Sequence, residues 1–591
     1  MKNQLKDNIL ELQSEYKILN EVMMKELTGA EVFIESLRKE GVDTIFGYPG
    51  GVILGLYEQL YHTKDINHYL VRHEQAAIHA AEGYARVNDK CGVALVTSGP
   101  GATNTITGLA NAYLDGYPMV VFTGQVGANL IGNDAFQEAD IVGITRSCTK
   151  HNYLVKDAND LARTVKEAFY IANTGKKGPV VIDLPKSVLD QKIEFNYPAE
   201  VSLEGYNPTY KGNPKQIAKA VELLCDAKRP AIISGGGVLS SNASDELTEL
   251  AHLTDIPVTN TLMGIGTYPQ DDEKALGMLG MHGNYWANYA VAECDVLLAV
   301  GTRFNDRITG PLAKFAKGAK IIHIDIDPCS ISKNVAAHIP IVGDAKLILR
   351  DMLNELKSRK HEINKEAKDK WFEKIDKWKQ RRVIPEIQSD KLHAHTVLKT
   401  IHEYTKQYDP VIATEVGQHQ MWTAQMFSFN KPRRLLTSGG LGTMGFGFPA
   451  AMGAYVADRN RLVLNIAGDG SIQMNIQELA TCVENNLAVK VMIMNNGYLG
   501  MVRQWQEKLF DKHYSHTKIY GPDFVKVAEA YGAKGIRVTK EEEIIPALKE
   551  AIEYKGPVFL DFVIEPFETV YPWVLAGKAM HEVLLSSKEE Y

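Results

Sequence analysis

Gly468-Asp469-Gly470 is followed by 24 residues and then by Asn495-Asn496. A carboxylate, an amide oxygen and a glycine-lined backbone suit a hard divalent cation that also grips a phosphate. The surrounding residues read as strand (462–467), loop, helix and strand (489–494), the helix carrying Ile476, Leu479, Ala480 and Val483 on one face. Such a βαβ unit puts Asp469 and Asn496 at the carboxyl ends of two parallel strands, where open α/β sheets bind ligands. An ordinary turn with an Asx residue at each loop would also give a lone Gly-Asp-Gly; the paired Asn at this spacing favours a site.

The second constellation is Val71-Arg72-His73-Glu74-Gln75, just before an Ala-rich stretch from Ala76 to Ala85. Alone, a carboxylate at a helix start is a favourable charge at the positive end of the dipole. His73 beside it reads as structural.

The elements that must position these residues fall into three αβ-rich blocks. The first, 27–196, holds a strand (93–97), the loop Ser98-Gly99-Pro100-Gly101, a helix through Leu109 and Ala112, and a strand (119–123). The last, 389–591, holds the cation motif. The two rhyme: strand, glycine turn, an Asn soon after (Asn104, Asn475), helix, strand. Between them, 214–356 reads as strand (231–234), Gly235-Gly236-Gly237, helix (246–253) and strands at 296–300 and 321–325, a further doubly wound domain. The charged segment 357–388 reads as a solvated linker helix over 357–382, with Trp371 and Trp378 pinning one face. Residues 1–26 form an extension whose Leu5, Ile9, Leu12, Tyr16 and Leu19 suggest a short amphipathic helix packed on the body or on a partner.

With 591 residues, 45% hydrophobic and 23% charged, the chain has the composition of a globular protein with large cores. The net charge of −7 has no basic stripe in it, which argues against nucleic-acid binding. Six scattered cysteines without a CxxC pair argue for a reducing compartment and against a thiolate metal site. No apolar run reaches the roughly 18 residues of a membrane span, and the first 24 residues, acidic and without Arg, are a poor targeting signal. A cytoplasmic location is expected.

The cation motif resembles that of thiamin diphosphate enzymes, and the chain from about 27 to 575 closely resembles the acetohydroxyacid synthase (acetolactate synthase) catalytic-subunit family. The resemblance rests on Gly47-Tyr48-Pro49-Gly50-Gly51, Arg72-His73-Glu74, Thr97-Ser98-Gly99-Pro100-Gly101-Ala102-Thr103-Asn104, Asp134-Ala135-Phe136-Gln137-Glu138, Leu184-Pro185-Lys186, Gly280-Met281-His282-Gly283, Arg303-Phe304-Asn305-Asp306-Arg307, Gly440-Leu441-Gly442-Thr443-Met444-Gly445 and Met501-Val502-Arg503-Gln504-Trp505-Gln506. It implies an α/β fold of three doubly wound parallel-sheet domains: pyrimidine-binding (27–196), FAD-binding-like (214–356) and diphosphate- and Mg²⁺-binding (389–591).

The resemblance also implies roles. Glu74 would bond N1′ of the aminopyrimidine and stabilise the imino tautomer that takes the C2 proton. Asp469, Asn496 and the Tyr498 carbonyl would hold Mg²⁺, with Gly468, Gly470 and Ser471 beside the diphosphate. Met444 would wedge beneath the thiazolium, and Tyr48, Pro49 and Met501 would also contact the cofactor. Gly51 and Gln137 would lie near the reacting carbon; Phe136, Lys186, Arg307, Val502 and Trp505 would line the substrate channel, Trp505 favouring 2-ketobutyrate. FAD would meet Gly235, Gly236, Gly237, Met281, His282, Gly301, Arg303, Asp306, Arg307 and Asp325. Lys176 stands where the family usually has a flavin-contacting Arg, so FAD is expected to be held less firmly. Taken singly, Met444, Phe136 and Trp505 read as core residues, Lys186 and Arg307 as surface cations, and Gly51 as a tight turn.

The activity implied is decarboxylation of pyruvate and condensation with pyruvate or 2-ketobutyrate, toward branched-chain amino acids. A homodimer or tetramer with shared sites and a separate regulatory subunit would be the working form. The alternatives are a flavin-free catabolic acetolactate synthase, another thiamin diphosphate carboligase, and a non-catalytic cofactor-binding protein.

Overall fold

The computed structural model describes residues 26–359, 363–381 and 389–586. The expected amphipathic helix at the N-terminus lies outside them. Three six-stranded sheets, parallel throughout, form the body.

In the N-terminal unit the strands are β1 (Thr44–Tyr48), β2 (Asn67–Leu70), β3 (Gly92–Val96), β4 (Met119–Gln125), β5 (His151–Leu154) and β6 (Pro179–Pro185), in the order β2-β1-β3-β4-β6-β5. The middle unit holds β7 (Pro230–Ser234), β8 (Val258–Asn260), β9 (Ala275–Met278), β10 (Val296–Val300), β11 (Lys320–Asp325) and β12 (Ile339–Val342), in the order β9-β8-β7-β10-β11-β12. The C-terminal unit holds β13 (Val411–Thr414), β14 (Leu435–Leu436), β15 (Val463–Gly468), β16 (Lys490–Asn495), β17 (Lys534–Val538) and β18 (Val558–Val563), in the order β14-β13-β15-β16-β18-β17. The first and last units therefore share one topology, as the rhyming motifs suggest. The middle unit has the strand order of dinucleotide-binding sheets, with its reversal between β7 and β10. Their strands are near-continuous apolar runs because helices cover both faces.

The outer units share a core. The helices Glu74–Asn88 and Gly447–Ala457 cross in close contact: a Cβ on Gly453 would lie 1.8 Å from the Ala80 carbonyl oxygen, and one on Gly83 would lie 2.1 Å from that of Ala450. Only glycine permits that approach. Around the crossing, Ala77, Ala80, Ala81, Phe448, Ala451 and Met452 belong to one buried cluster. At its edge the buried Arg86 guanidinium pairs with Glu82 and Asp115 (2.5 and 2.7 Å) and donates to the Thr437 carbonyl (2.8 Å).

All three units meet at Asp89, whose carboxylate accepts from Lys177 (3.2 Å), Asn242 (2.7 Å) and Arg433 (2.8 Å). The charged segment departs from a solvated helix. One helix ends at Arg359 and another spans Lys365–Lys379. Trp371 is buried and donates to the Pro230 carbonyl (3.0 Å), with Trp378 packed edge-on against it. Lys368 is buried too, capping two helix ends through the Leu224 and Thr254 carbonyls.

Candidate active site

β15 and β16 are hydrogen-bonded neighbours, with Gly468 opposite Met494. The chain leaves β15 into Asp469, which is buried. Its Oδ2 accepts the Gly497 N–H (3.0 Å), which the left-handed backbone of Gly497 (φ +71°) turns toward it. Burial pushes the Asp469 carboxyl up to about 7, and the charged neighbour that acts on it, Asp561, is another acid pushing the same way. The two Asn divide the work. Asn495 donates to Asp561 (2.9 Å) and anchors the strand end, whereas the Asn496 side-chain oxygen accepts the Tyr498 N–H (3.0 Å) beside Asp469. Ser471 Oγ accepts the Gly468 N–H (3.2 Å) and closes the turn.

A buried acid in need of positive charge, beside an amide oxygen, fits a hard divalent cation. Among the described residues no cluster of three or more His, Cys, Asp and Glu could hold a metal by itself. Such a cation would therefore take further oxygens from a ligand such as a phosphate. A residue that sequence reasoning missed supports this fit. His419, near the start of the Gln418–Met426 helix after β13, is buried against Gly468, and its Nε2 has no hydrogen-bond partner. A diphosphate oxygen would give that nitrogen a partner at a helix N-terminus. The available signal was Gly417-Gln418-His419-Gln420 directly after an apolar strand.

Met444 is half-buried and fixed from both sides. Gly445 (φ +90°) donates its N–H to Glu415 Oε2 (2.6 Å), and its carbonyl accepts from Asn475 (2.6 Å). Glu415, also unforeseen, is wholly buried at the end of β13; burial pushes it up to about 7 although it accepts the Phe448 N–H (2.9 Å) as well. Before Met444, Ser438 Oγ accepts the Gly442 and Thr443 N–H groups (3.0 and 2.9 Å) and donates to Asn111 (2.5 Å) of the N-terminal unit. Asp115 accepts the Gly440 N–H (2.7 Å).

Glu74 begins its helix behind His73, whose Nδ1 accepts the Gln75 N–H (3.1 Å), so His73 is a cap. Glu74 is 9% exposed; Oε2 accepts from Asn104 (2.9 Å), and a Cβ on Gly101 would lie 3.4 Å from Oε1. The turn after β3 lies against it, and the turn after β1 packs on that turn. A Cβ on Gly50 would strike Thr97, and one on Gly99 would lie 2.8 Å from the Gln137 carbonyl. Gln137 itself has φ +59°, strained for a side-chain-bearing residue. The Thr97 and Ser98 hydroxyls are buried without partners. The structure thus brings Gly101 and Asn104 to Glu74, with Thr97 between Gly50 and Gly101 and with Gln137 on Gly99. Tyr48 is 38% exposed at the end of β1, Pro49 follows it, and Gly51 opens a turn with free space above it.

The remaining candidates are spread out. Phe136 is 88% exposed, and Lys186 is exposed at the start of the Lys186–Leu189 helix. The helix Gly500–Leu509 carries Met501, exposed Val502 and half-exposed Trp505. In the middle unit, Gly235 and Gly237 press on Gly301 (φ +58°) across the β7–β10 reversal, with Gly236 between them; a Cβ on Gly235 would lie 2.2 Å from the Gly301 carbonyl oxygen. Arg303 and Asp325 flank this crevice, and burial pushes Asp325 up to about 6. Lys176 reaches Asp327 at 3.7 Å and lies over the Tyr113 ring. Asp306 and Arg307 are exposed, with Arg307 Nη1 3.9 Å from Met281 Sδ. His282 is buried, its ring nitrogen 3.1 Å from the Pro572 carbonyl. The donor to Glu74 comes from the N-terminal unit and the donor to Asp469 from the C-terminal unit.

Three family models match: the N-terminal TPP binding domain of thiamine pyrophosphate enzymes over 27–144, their central domain over 217–352 and their C-terminal TPP binding domain over 415–562. The acetolactate synthase large subunit of Haemophilus influenzae is 46% identical over 574 residues, covering 96% of this chain and all of that protein. The acetolactate synthase isozyme 3 large subunit of Escherichia coli is also 46% identical over 574 residues with the same coverage. The probable acetolactate synthase large subunit of Methanocaldococcus jannaschii is 49% identical over 570 residues, covering 94% of this chain and 95% of that protein. With three parallel αβ units in this order and full-length identity at this level, the chain belongs to the acetolactate synthase large-subunit family of thiamine pyrophosphate enzymes.

Proposed function

We propose that the protein is an acetohydroxyacid synthase catalytic subunit. It decarboxylates pyruvate and joins the two-carbon fragment to a second 2-oxo acid, giving 2-acetolactate from pyruvate or 2-aceto-2-hydroxybutyrate from 2-ketobutyrate, toward branched-chain amino acids. The observation that carries this reading is one buried carboxylate, Glu74, held by Asn104 and faced by Gly101 of the turn after β3, in a chain that also sets Asp469 and Asn496 on adjacent strand ends. Bound thiamin diphosphate supplies carbanion stabilisation. Asp469, Asn496 and the Tyr498 carbonyl hold Mg²⁺; Gly468, Gly470, Ser471 and His419 face the diphosphate. The Glu415 and Asn475 grip on Gly445 fixes Met444, which would support the bound cofactor together with Tyr48, Pro49 and Met501. Glu74 would hold a proton at the pyrimidine nitrogen, and Gly51 and Gln137 would serve the reacting carbon. Lys186 and Arg307 draw in anionic acids; Phe136, Val502 and Trp505 line their path, and Trp505 selects the second one.

Glu74 and Asp469 are presented by different units, and the family resemblance puts each site across two copies, in a homodimer or tetramer. A separate regulatory subunit follows from the large-subunit name of the relatives. Residues 27–196, 214–356 and 389–591 act as pyrimidine, FAD and diphosphate domains. FAD lies along Gly235–Gly237, Met281, His282, Gly301, Arg303, Asp306, Arg307 and Asp325, with Lys176 near it; since no net oxidation occurs, its role is structural. The setting is cytoplasmic. The test is incubation with pyruvate, thiamin diphosphate and Mg²⁺, assayed for 2-acetolactate with and without 2-ketobutyrate. Pyruvate consumed without acetolactate, or no turnover with all cofactors present, overturns the reading.

A further inference from the structure

The segment after β18 crosses from the Gly500–Leu509 helix to the middle unit. At its start the Glu568 carbonyl accepts from Arg503 (2.9 Å) and from Gln418 (2.9 Å), and Gln504 Oε1 accepts the Val570 N–H (2.9 Å). Three residues on, the Trp573 N–H donates to the Leu584 carbonyl and the Leu584 N–H donates back (2.9 and 2.8 Å), closing a loop. The Val574 N–H donates to the Met281 carbonyl (2.9 Å), and the Met281 N–H to the Arg307 carbonyl (2.8 Å). One strap thus ties the two residues that precede Trp505, Arg503 and Gln504, to the Met281–Arg307 edge.

Trp573 is the bolt in that strap. It is fully buried, and its indole N–H has no hydrogen-bond partner. A buried Trp normally satisfies that group, so the side chain is there for its shape. Its ring lies tilted against Trp505, with centroids 6.0 Å apart at 49°, and stacks on His282 at 6.2 Å and 28°. His282 is held in turn by Pro572 and by Gln425, which donates to its carbonyl (2.8 Å). The half-exposed Trp505 therefore rests on a wall anchored in two units.

We propose that Trp573 is a specificity-positioning residue: by backing Trp505 it sets the depth of the pocket that receives the second 2-oxo acid. This rests on the reading of Trp505 as the acceptor-selecting side chain. Removing the support lets the Trp505 ring tilt into the space left behind, and a pocket matched to one extra methylene loses that match.

The test is a double-mutant cycle on the full-length holoenzyme with Trp573→Leu, Trp505→Leu and both, supplied with pyruvate and 2-ketobutyrate together. The readout is the ratio of the two products beside total pyruvate consumed. Discrimination by one methylene spans about 10–200-fold. Trp573→Leu is expected to lower the ratio several-fold with consumption little changed, Trp573→Phe to restore most of it, and the double variant to fall no further than Trp505→Leu alone. If Trp505→Leu shifts the ratio and neither Trp573 variant does, the positioning role is wrong while the reading of Trp505 stands. If the ratio is unmoved in every variant, that reading fails first. Should Trp573→Leu not fold, Trp573→Met, which removes the flat ring but keeps more bulk, takes its place: a parental ratio overturns the proposal, and a lowered ratio at parental thermal midpoint supports it.

Discussion

The N-terminal and C-terminal units are one scaffold used twice, and they carry their acids on different loops. In each, the loops after the first, second and third strands meet at one end of the sheet. The N-terminal unit has Gly50 after β1, Glu74 after β2 and Gly99 after β3; the C-terminal unit has His419 after β13, Met444 after β14 and Asp469 after β15. Even the supporting Asn corresponds: Asn104 reaches from the third loop to Glu74, and Asn475 reaches from the third loop to the Gly445 carbonyl. The helices crossing at Gly83 and Gly453 are the same element of the two units, and each buries its glycine on the other's backbone. Fold alone thus does not assign chemistry. An acid beginning a helix faces a pocket of glycines and hydroxyls and suits proton work; an acid leaving a strand beside an amide suits a cation.

The largest expected effect separates these roles. Glu74→Gln keeps shape and loses the proton, so kcat falls by about 10²–10⁴, while the thiamin diphosphate concentration for half-activation stays within about twofold of the parent. Saturation curves for the cofactor check both numbers; a kcat within a factor of two of the parent would sink the assignment. Asp469→Asn is expected to do the reverse. The Mg²⁺ and cofactor needed for half-activation rise by at least the roughly 10–100-fold known for loss of a supporting metal contact, and saturating ligand recovers more activity than it does in Glu74→Gln.

Next in size is the shared crossing. Gly453→Ala forces a methyl onto the Ala80 carbonyl and is expected to cost about 1–3 kcal/mol, as overpacking does. Gly83→Ala should cost about the same if the two helices are equivalent. Chemical denaturation of both variants compares them, and a loss at one position alone would break the symmetry.

pH sharpens the junction between the units. Glu478 accepts the Arg72 N–H (2.9 Å) across it, and burial pushes its carboxyl up to about 7. A carboxyl raised above its unfolded value stabilises the fold fully below about pH 4.5, and that contribution is lost as the pH rises through about 7. The thermal midpoint of the protein is expected to fall from pH 5 to pH 8, and Glu478→Gln, neutral throughout, to flatten that slope. A variant as steep as the parent would assign the slope elsewhere. Smallest is Lys176→Arg, expected to retain added FAD a few-fold longer on dilution, since a planar fork replaces a point charge; flavin fluorescence after gel filtration measures it.

The strand ends were legible because punctuation marks them: Gly468-Asp469-Gly470 and Asn495-Asn496 end β15 and β16 within a residue of expectation. The stretch between them was not. Its apolar spacing suggests one helix, but Ile472–Met474 and Ile476–Glu478 are 3₁₀ turns and only Leu479–Glu484 is α-helical. Asn475 lies between those turns, its side chain committed to Gly445. Periodicity reports which face is apolar; it does not report a polar side chain drawn to a loop thirty residues away in sequence. Glu415 and His419 went unseen for a related reason. Their importance lies in buried groups left needing a partner, and burial is a property of the assembled sheet. The close approach of Gly83 and Gly453 joins distant segments, and nothing local predicts it.

Asp89 carries a mechanical consequence. Its carboxylate is gripped by one donor from each of the three units. A rotation of any unit away from the others must first tear out a contact at this corner, and the closest alternative pivot, the crossing at Gly83 and Gly453, has no clearance to turn on. The two points together resist relative movement of the units. Motions that admit a substrate and release a product are then expected in the turns at the strand ends, where excursions are small and fast compared with the swing of a whole unit.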